Sequence, residues 1–217
     1  MGQSVHVARR RGNIAGLCIT LSLMVGIIAE RAAATATGAQ DSVRSFYATL
    51  LTTMKDGGML GQSGRYARLA PMVDRHFDVP FMTRLAIGPS WSALPAAQQQ
   101  RLTEAFRHYI VATYADRFDS WSGEQLQVTG EQPYSADVIV QTKIARPNGE
   151  TTTLNYRMHQ NQGSWQISDV YLDGSISQLA VQRSEFNSIL RRDGADGLVM
   201  ALNRKVDLLS KGLAKAS

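Results

Sequence analysis

Apolar residues recur along this chain with two different periods. From Asp41 onward they fall at Val43, Phe46, Tyr47, Leu50, Leu51 and Met54, the spacing of one helix face. Asp41 stands where an N-cap is expected, and Gly57-Gly58 where the helix would stop. A second helix is predicted from Gly64 to His76, with Tyr66, Leu69, Met72 and Val73 on one side and Pro71 implying a kink or a late start. A third, short helix runs from about Val79 to Ile87, with Asp78 as its cap, Pro80 in its first turn and Gly88 at its end. The longest helix opens at Pro95 without a good capping residue, since Leu94 occupies the place of a Ser or Thr. Its stripe is Leu102, Phe106, Tyr109, Ile110, Thr113 and Phe118, and it is expected to end near Trp121-Ser122-Gly123.

At Gln125 the period changes to two. Leu126-x-Val128 opens a first strand, and Ala136-x-Val138-x-Val140-x-Thr142-x-Ile144 alternates strictly through a second. Pro147-Asn148-Gly149 is a turn signal, and Thr152-x-Leu154-x-Tyr156-x-Met158 returns. Gln162-Gly163 turns again into Trp165-x-Ile167 and on to Val170 and Leu172. Short turns between successive strands predict a four-stranded antiparallel meander. Its wet face would carry Asp137, Gln141, Lys143, Asn155, Arg157 and His159. Helical spacing then resumes. Ser177 caps a helix from Gln178 to Arg192, Gly194 breaks it, and a last helix from Ala195 carries Leu198, Leu202, Val206 and Leu209. Helices flanking one sheet, and covering one of its faces, give an α+β fold. No linker divides residues 37–217, which are read as one domain.

The start of the chain has a different plan. Arg9-Arg10-Arg11 precede an uncharged run of 16 residues, Ile14 to Ala29, and small residues come next with Ala32-x-Ala34 and Ala34-x-Ala36. This is the layout of a cleavable signal peptide over residues 1–36. The run is shorter than the roughly 20 residues a spanning helix needs. The leader also changes the charge. Taking its four arginines and one glutamate from 23 basic and 18 acidic residues leaves 19 and 17, a net +2. The basic balance of the whole chain is therefore no argument for nucleic acid, and no basic face with interleaved aromatics appears. Cys18, the single cysteine, lies within the leader, which excludes a disulfide framework and a cysteine-held zinc.

Candidate chemistry is sparse. The histidines His76, His108 and His159 have no metal-ligand spacing, and no nucleophile elbow or phosphate loop is present. His76 near Asp78 offers a dyad, against which stands an ordinary capping role at a helix junction. Asp169 interrupts the apolar strand that starts at Trp165. Such a carboxylate is exposed, paired, or poised as a general base, because burying it alone is too costly. A base at Asp169 inside a sheet-and-helix pocket would make an enzyme of the cone-shaped isomerase or dehydratase type.

Several segments, taken in order, resemble one family. These are Tyr66-x-x-Leu69-x-Pro71, Phe77-Asp78, Met82-Thr83-Arg84-Leu85-Ala86-Ile87-Gly88, Trp91, Gln98, Phe106 and Thr113-Tyr114-Ala115. They continue with Gly163-Ser164-Trp165-Gln166-Ile167-Ser168-Asp169-Val170, Asp173-Gly174-Ser175-Ile176-Ser177 and Arg183-Ser184-Glu185-Phe186. Together they resemble the MlaC family of periplasmic lipid-binding proteins, over about residues 41–210. Gln182 and the run Leu172 to Ser177 look most like its hopanoid-associated branch, HpnM. The resemblance implies a periplasmic carrier with no cofactor and no metal, holding a phospholipid or hopanoid between sheet and helices. It also implies partners: an inner-membrane ABC transporter complex and an outer-membrane lipoprotein or porin complex. By the same resemblance Met82, Leu85, Phe106, Tyr109, Ile110, Val138, Val140, Tyr156, Met158 and Val170 are expected near the cavity. Arg183 is expected either to pair internally with Asp169 or to sit by a headgroup. A ligand-free envelope adaptor is the remaining alternative.

Overall fold

The computed structural model describes residues 1–2 and 38–212. The expected leader and its cleavage site lie outside the described residues, save Met1 and Gly2. From Gly38 the chain forms one compact unit.

Helix α1 occupies residues 38–55, with Val43, Phe46, Tyr47, Leu50, Thr53 and Met54 buried along one face. It is already running at Gly38, so Asp41 is not its cap. Asp41 instead pairs with Arg44 one turn on, at 2.9 Å. As expected, α1 stops just before Gly57, which is also the first residue of α2 (Gly57–His76). A Cβ there would stand 2.0 Å from the Asp119 carbonyl oxygen, so glycine is required by close backbone approach. The non-helical residue inside α2 is Gly61 (φ 58°), ahead of Pro71, which the helix accommodates.

Helix α3 (Val79–Ile87) forms as predicted, with Asp78 Oδ1 accepting the Phe81 N–H at 2.9 Å. A 3-10 turn over Gly88–Ala93 then leads to α4 (Ala96–Arg117), which has Pro95 at its N-cap and no side-chain cap. Helix α4 stops four residues before Trp121. Helix α5 (Gln178–Ser210) starts at the expected cap, Ser177, and turns at Gly194 (φ 69°).

The sheet has five strands, not four: β1 (Gln125–Tyr134), β2 (Asp137–Ala145), β3 (Thr151–Asn161), β4 (Ser164–Leu172) and β5 (Ile176–Ser177). Their spatial order is their chain order, and each pair is antiparallel. The extra strand forms because Asp173 and Gly174 both take positive φ and fold Ile176 back onto Leu172. Two residues are too few to show a period, so the segment reads in sequence only as a helix cap.

Two bulges interrupt the alternation. In β3–β4 the register slips between Arg157 and Met158, where Ser168 is the extra residue. Ile167, Ser168 and Asp169 are consequently all buried in succession. The core between α1, α4 and the sheet is aromatic. Phe46 sits 5.5–5.8 Å from the rings of Tyr47, Phe77, Tyr114 and Tyr156. Tyr47 and Thr142 join α1 to β2 by a buried hydroxyl–hydroxyl bond of 2.6 Å.

Candidate functional site

A cavity of about 520 Å³ lies between α4 and one half of the sheet. Helix α4 lines it with Phe106, Tyr109, Ile110, Thr113, Tyr114 and Arg117, which share a face because they recur three and four residues apart. The sheet supplies Ile144, Thr152, Leu154, Val170 and Leu172. Met54, Phe77, Met82 and Leu179 close it from α1, α3 and α5 and the segments between them.

The two ends differ. At one, Phe77, Met82, Phe106 and Leu179 are each 2–8 % exposed, and the polar side chains of Asp169, Gln178 and Gln182 line the cavity beside Leu179. At the other, Arg117, Phe118, Asp119, Ser120, Glu124, Arg146 and Thr152 form a polar rim, with Arg117 and Arg146 open to solvent. The register places Gln125 opposite Ala145, so Glu124 and Arg146 are neighbours across the edge of the sheet. The 118–124 loop packs on the β2–β3 turn, where a Cβ at Gly123 would meet Pro147 at 2.8 Å. From Phe106 to Arg117 the bore runs along eleven helical residues, about 16 Å. Burial pushes the Tyr114 phenol well up, so the wall it forms stays uncharged.

Of the ten residues expected near a cavity, five line this one: Met82, Phe106, Tyr109, Ile110 and Val170. Val140, Tyr156 and Met158 lie instead in solid core, each 0 % exposed. The rings of Phe46 and Tyr47 fill the space above Tyr156, which leaves no room there. Val138 is partly buried against the same core. Leu85 is on the surface, beside the α3 face formed by Met82, Thr83, Ala86 and Ile87. The rim residues escape a sequence reading because Arg117 and Arg146 look like ordinary surface charges. The one available signal is Arg117's place four residues after Thr113 on the α4 stripe.

The polar candidates resolve differently from expectation. Asp169 does not pair with Arg183. Its carboxylate accepts from Val170 N at 2.7 Å, Leu179 N at 3.0 Å and Ser177 Oγ at 2.6 Å, and so ties β4 to the start of α5. Arg183 is exposed and lies over Gly88, where a Cβ would stand 3.3 Å from its Nη2. His76 and Asp78 form no dyad. His76 Nδ1 is 3.1 Å from Ser42 Oγ, whose proton goes to the Trp165 carbonyl. Burial, with Arg75 adding to it, lowers the His76 pKa to about 4. His159 is not on an open wet face. Its Nε2 lies 3.1 Å from Asp78 Oδ2 and its ring 4.4 Å from Phe81, because the first turn of α3 folds over the end of β3.

Among the described residues no helix is long and apolar enough to cross a membrane. Residues 44–204 match the family model described as MlaC protein. The chain is also similar to a solved structure of a phospholipid-binding protein from Ralstonia solanacearum in complex with a phospholipid. The identity is 24 %, the match covers 79 % of this chain and 98 % of the other, and the TM-score is 0.68. At that identity the likeness speaks for the fold.

Proposed function

The chain belongs to the MlaC family, and from that premise we propose that it is a lipid carrier which takes acyl chain into the α4 cavity. The observation that carries this reading is the cavity's polarity: a lining made mostly of apolar side chains, with charged residues gathered at one end. Such a shape suits a molecule with a long apolar body and a polar head. Each methylene moved out of water gains about 0.8 kcal/mol, so a bore that accepts a dozen of them needs no further machinery. Half of the roughly 30 Å hydrocarbon thickness of a bilayer is about 15 Å, close to the length of the bore. The related structure from Ralstonia solanacearum holds a phospholipid, which makes phospholipid the first cargo to test.

With residues 1–36 read as an export leader, the proposed carrier works in the periplasm. There it would pass lipid between an inner-membrane ABC transporter complex and an outer-membrane complex. The hopanoid-associated branch is the finer reading, resting on Gln182 and the Leu172 to Ser177 run, with a hopanoid as second cargo. Asp169 lines the cavity, but its carboxylate is engaged by three donors, which speaks for a structural acceptor rather than a general base.

The test is native mass spectrometry of the mature chain purified without detergent, then lipid extraction. A stoichiometric mass excess that extracts as diacyl lipid or hopanoid is expected. A bare mass that stays bare after incubation with vesicles overturns the carrier and leaves the ligand-free adaptor.

A further inference from the structure

We propose that the surface beside the charged end of the cavity is a bilayer contact, with Trp121 seated in the headgroup layer of an anionic membrane while lipid enters or leaves. The inference rests on the carrier reading and deepens it by naming the surface that the opening meets. Of the three tryptophans, Trp91 and Trp165 pack against the core, whereas Trp121 is 44 % exposed. Its loop neighbours Phe118, Ser120 and Glu124 line the cavity, yet Trp121 itself is not part of the lining. The ring is held in place. Its Nε1–H donates to the Glu124 carbonyl at 3.0 Å, and the Lys55 ammonium lies 5.1 Å from the ring centroid. The close approach of Gly57 to the Asp119 backbone brings the start of α2 to this loop as well. Two residues on from that contact, Met59 is 88 % exposed.

A lone exposed apolar side chain is ordinary on a protein surface. This one differs in place and in company. An acyl chain passing from a bilayer to the cavity meets water over any gap between the two, and each methylene resists that exposure. Transfer is therefore fastest with the opening set against the bilayer, and Trp121 stands on the loop that frames the opening. An indole settles between headgroups and acyl chains, apolar across its face and polar at its N–H. The ammonium beside the ring adds attraction for lipid phosphates. A protein partner asks for more, since a stable interface buries about 800 Å² on each side around an apolar centre. Here the exposed apolar side chains are two, with exposed Lys55, Ser120 and Ser122 interleaved. Because the patch touches the membrane only in transit, it acts on loading and unloading alike and leaves the equilibrium between bilayer and cavity where it was.

The experiment mixes delipidated mature chain with protein-free vesicles of phosphatidylcholine and phosphatidylglycerol, and follows the lipid-bound mass over time by native mass spectrometry. Trp121→Ser is expected to slow loading about tenfold, the factor that burying about half of a large apolar side chain supplies, and to reach the wild-type occupancy in the end. Trp121→Phe, which keeps a ring, should recover most of the rate. Lys55→Gln should slow loading about fivefold on these vesicles and little on phosphatidylcholine alone. An unchanged rate in Trp121→Ser overturns the inference and leaves the carrier standing. So does a fall in final occupancy that matches the fall in rate, which would place Trp121 in the binding site. A wild type that carries lipid when purified from cells, yet takes none from protein-free vesicles, also overturns it and gives the patch to a protein partner. A chain that holds no lipid under either condition removes the carrier itself.

Discussion

His76 shows how a single buried side chain sets a condition on the whole fold. Its pKa is lowered to about 4, while in the unfolded chain it returns to an ordinary value near 6.5. The unfolded state therefore binds more protons between those two values. Stability contributed by neutral His76 is complete above about pH 6.5 and is lost as the pH falls toward 4. Urea unfolding at pH 7 and at pH 4.5 should show it, and His76→Gln, which does not titrate, should flatten that part of the pH profile. Gly57 makes a second prediction at this scale. Gly57→Ala drives a Cβ into the Asp119 carbonyl oxygen, 2.0 Å away and part of the backbone. Overpacking of this kind costs about 1–3 kcal/mol, which a lowered melting temperature reads directly.

Between β4 and α5 the junction depends on one carboxylate. Asp169→Ala leaves the Val170 and Leu179 N–H groups and the Ser177 hydroxyl without their acceptor, so a loss of about 1–3 kcal/mol is expected. Asp169→Asn keeps an acceptor oxygen and should cost less. Both should retain lipid in native mass spectrometry, and loss of lipid from a folded Asp169→Asn would give this carboxylate a role beyond the junction. The same junction shows what was legible in the sequence at this scale. Long periodic stretches were: the α1 and α4 stripes, and the alternation of β2 and β3. Irregularities of one or two residues were not. The Ser168 bulge, the two-residue β5 and the early end of α4 have no period to detect. They arise because a partner strand or loop competes for the same backbone groups. Asp169 itself was visible as an anomaly, yet its partners Ser177 and Leu179 lie eight and ten residues downstream, on elements whose junction has no sequence period.

For the molecule as a whole, the site was half legible for a related reason. Alternation identified the inner face of the sheet, but it could not say which part of that face is filled. Tyr156 and Leu154 sit on the same face of one strand. Phe46 and Tyr47 of α1 cover the first, and the second borders open space. Leu154→Trp should occupy that space. The variant is expected to fold, to lose bound lipid in native mass spectrometry, and to lose the rise in melting temperature that a bound ligand confers. The burial of the cavity's lining at Phe77, Met82 and Phe106 has one more consequence: it makes the cavity a ruler. A chain shorter than the bore is wholly sheltered. A longer one must leave its surplus carbons in water, each at about 0.8 kcal/mol, or close to a fourfold faster escape per carbon. Dissociation rates across a homologous series of saturated chains should therefore bend at one carbon number, and Phe77→Ala should move that bend to longer chains.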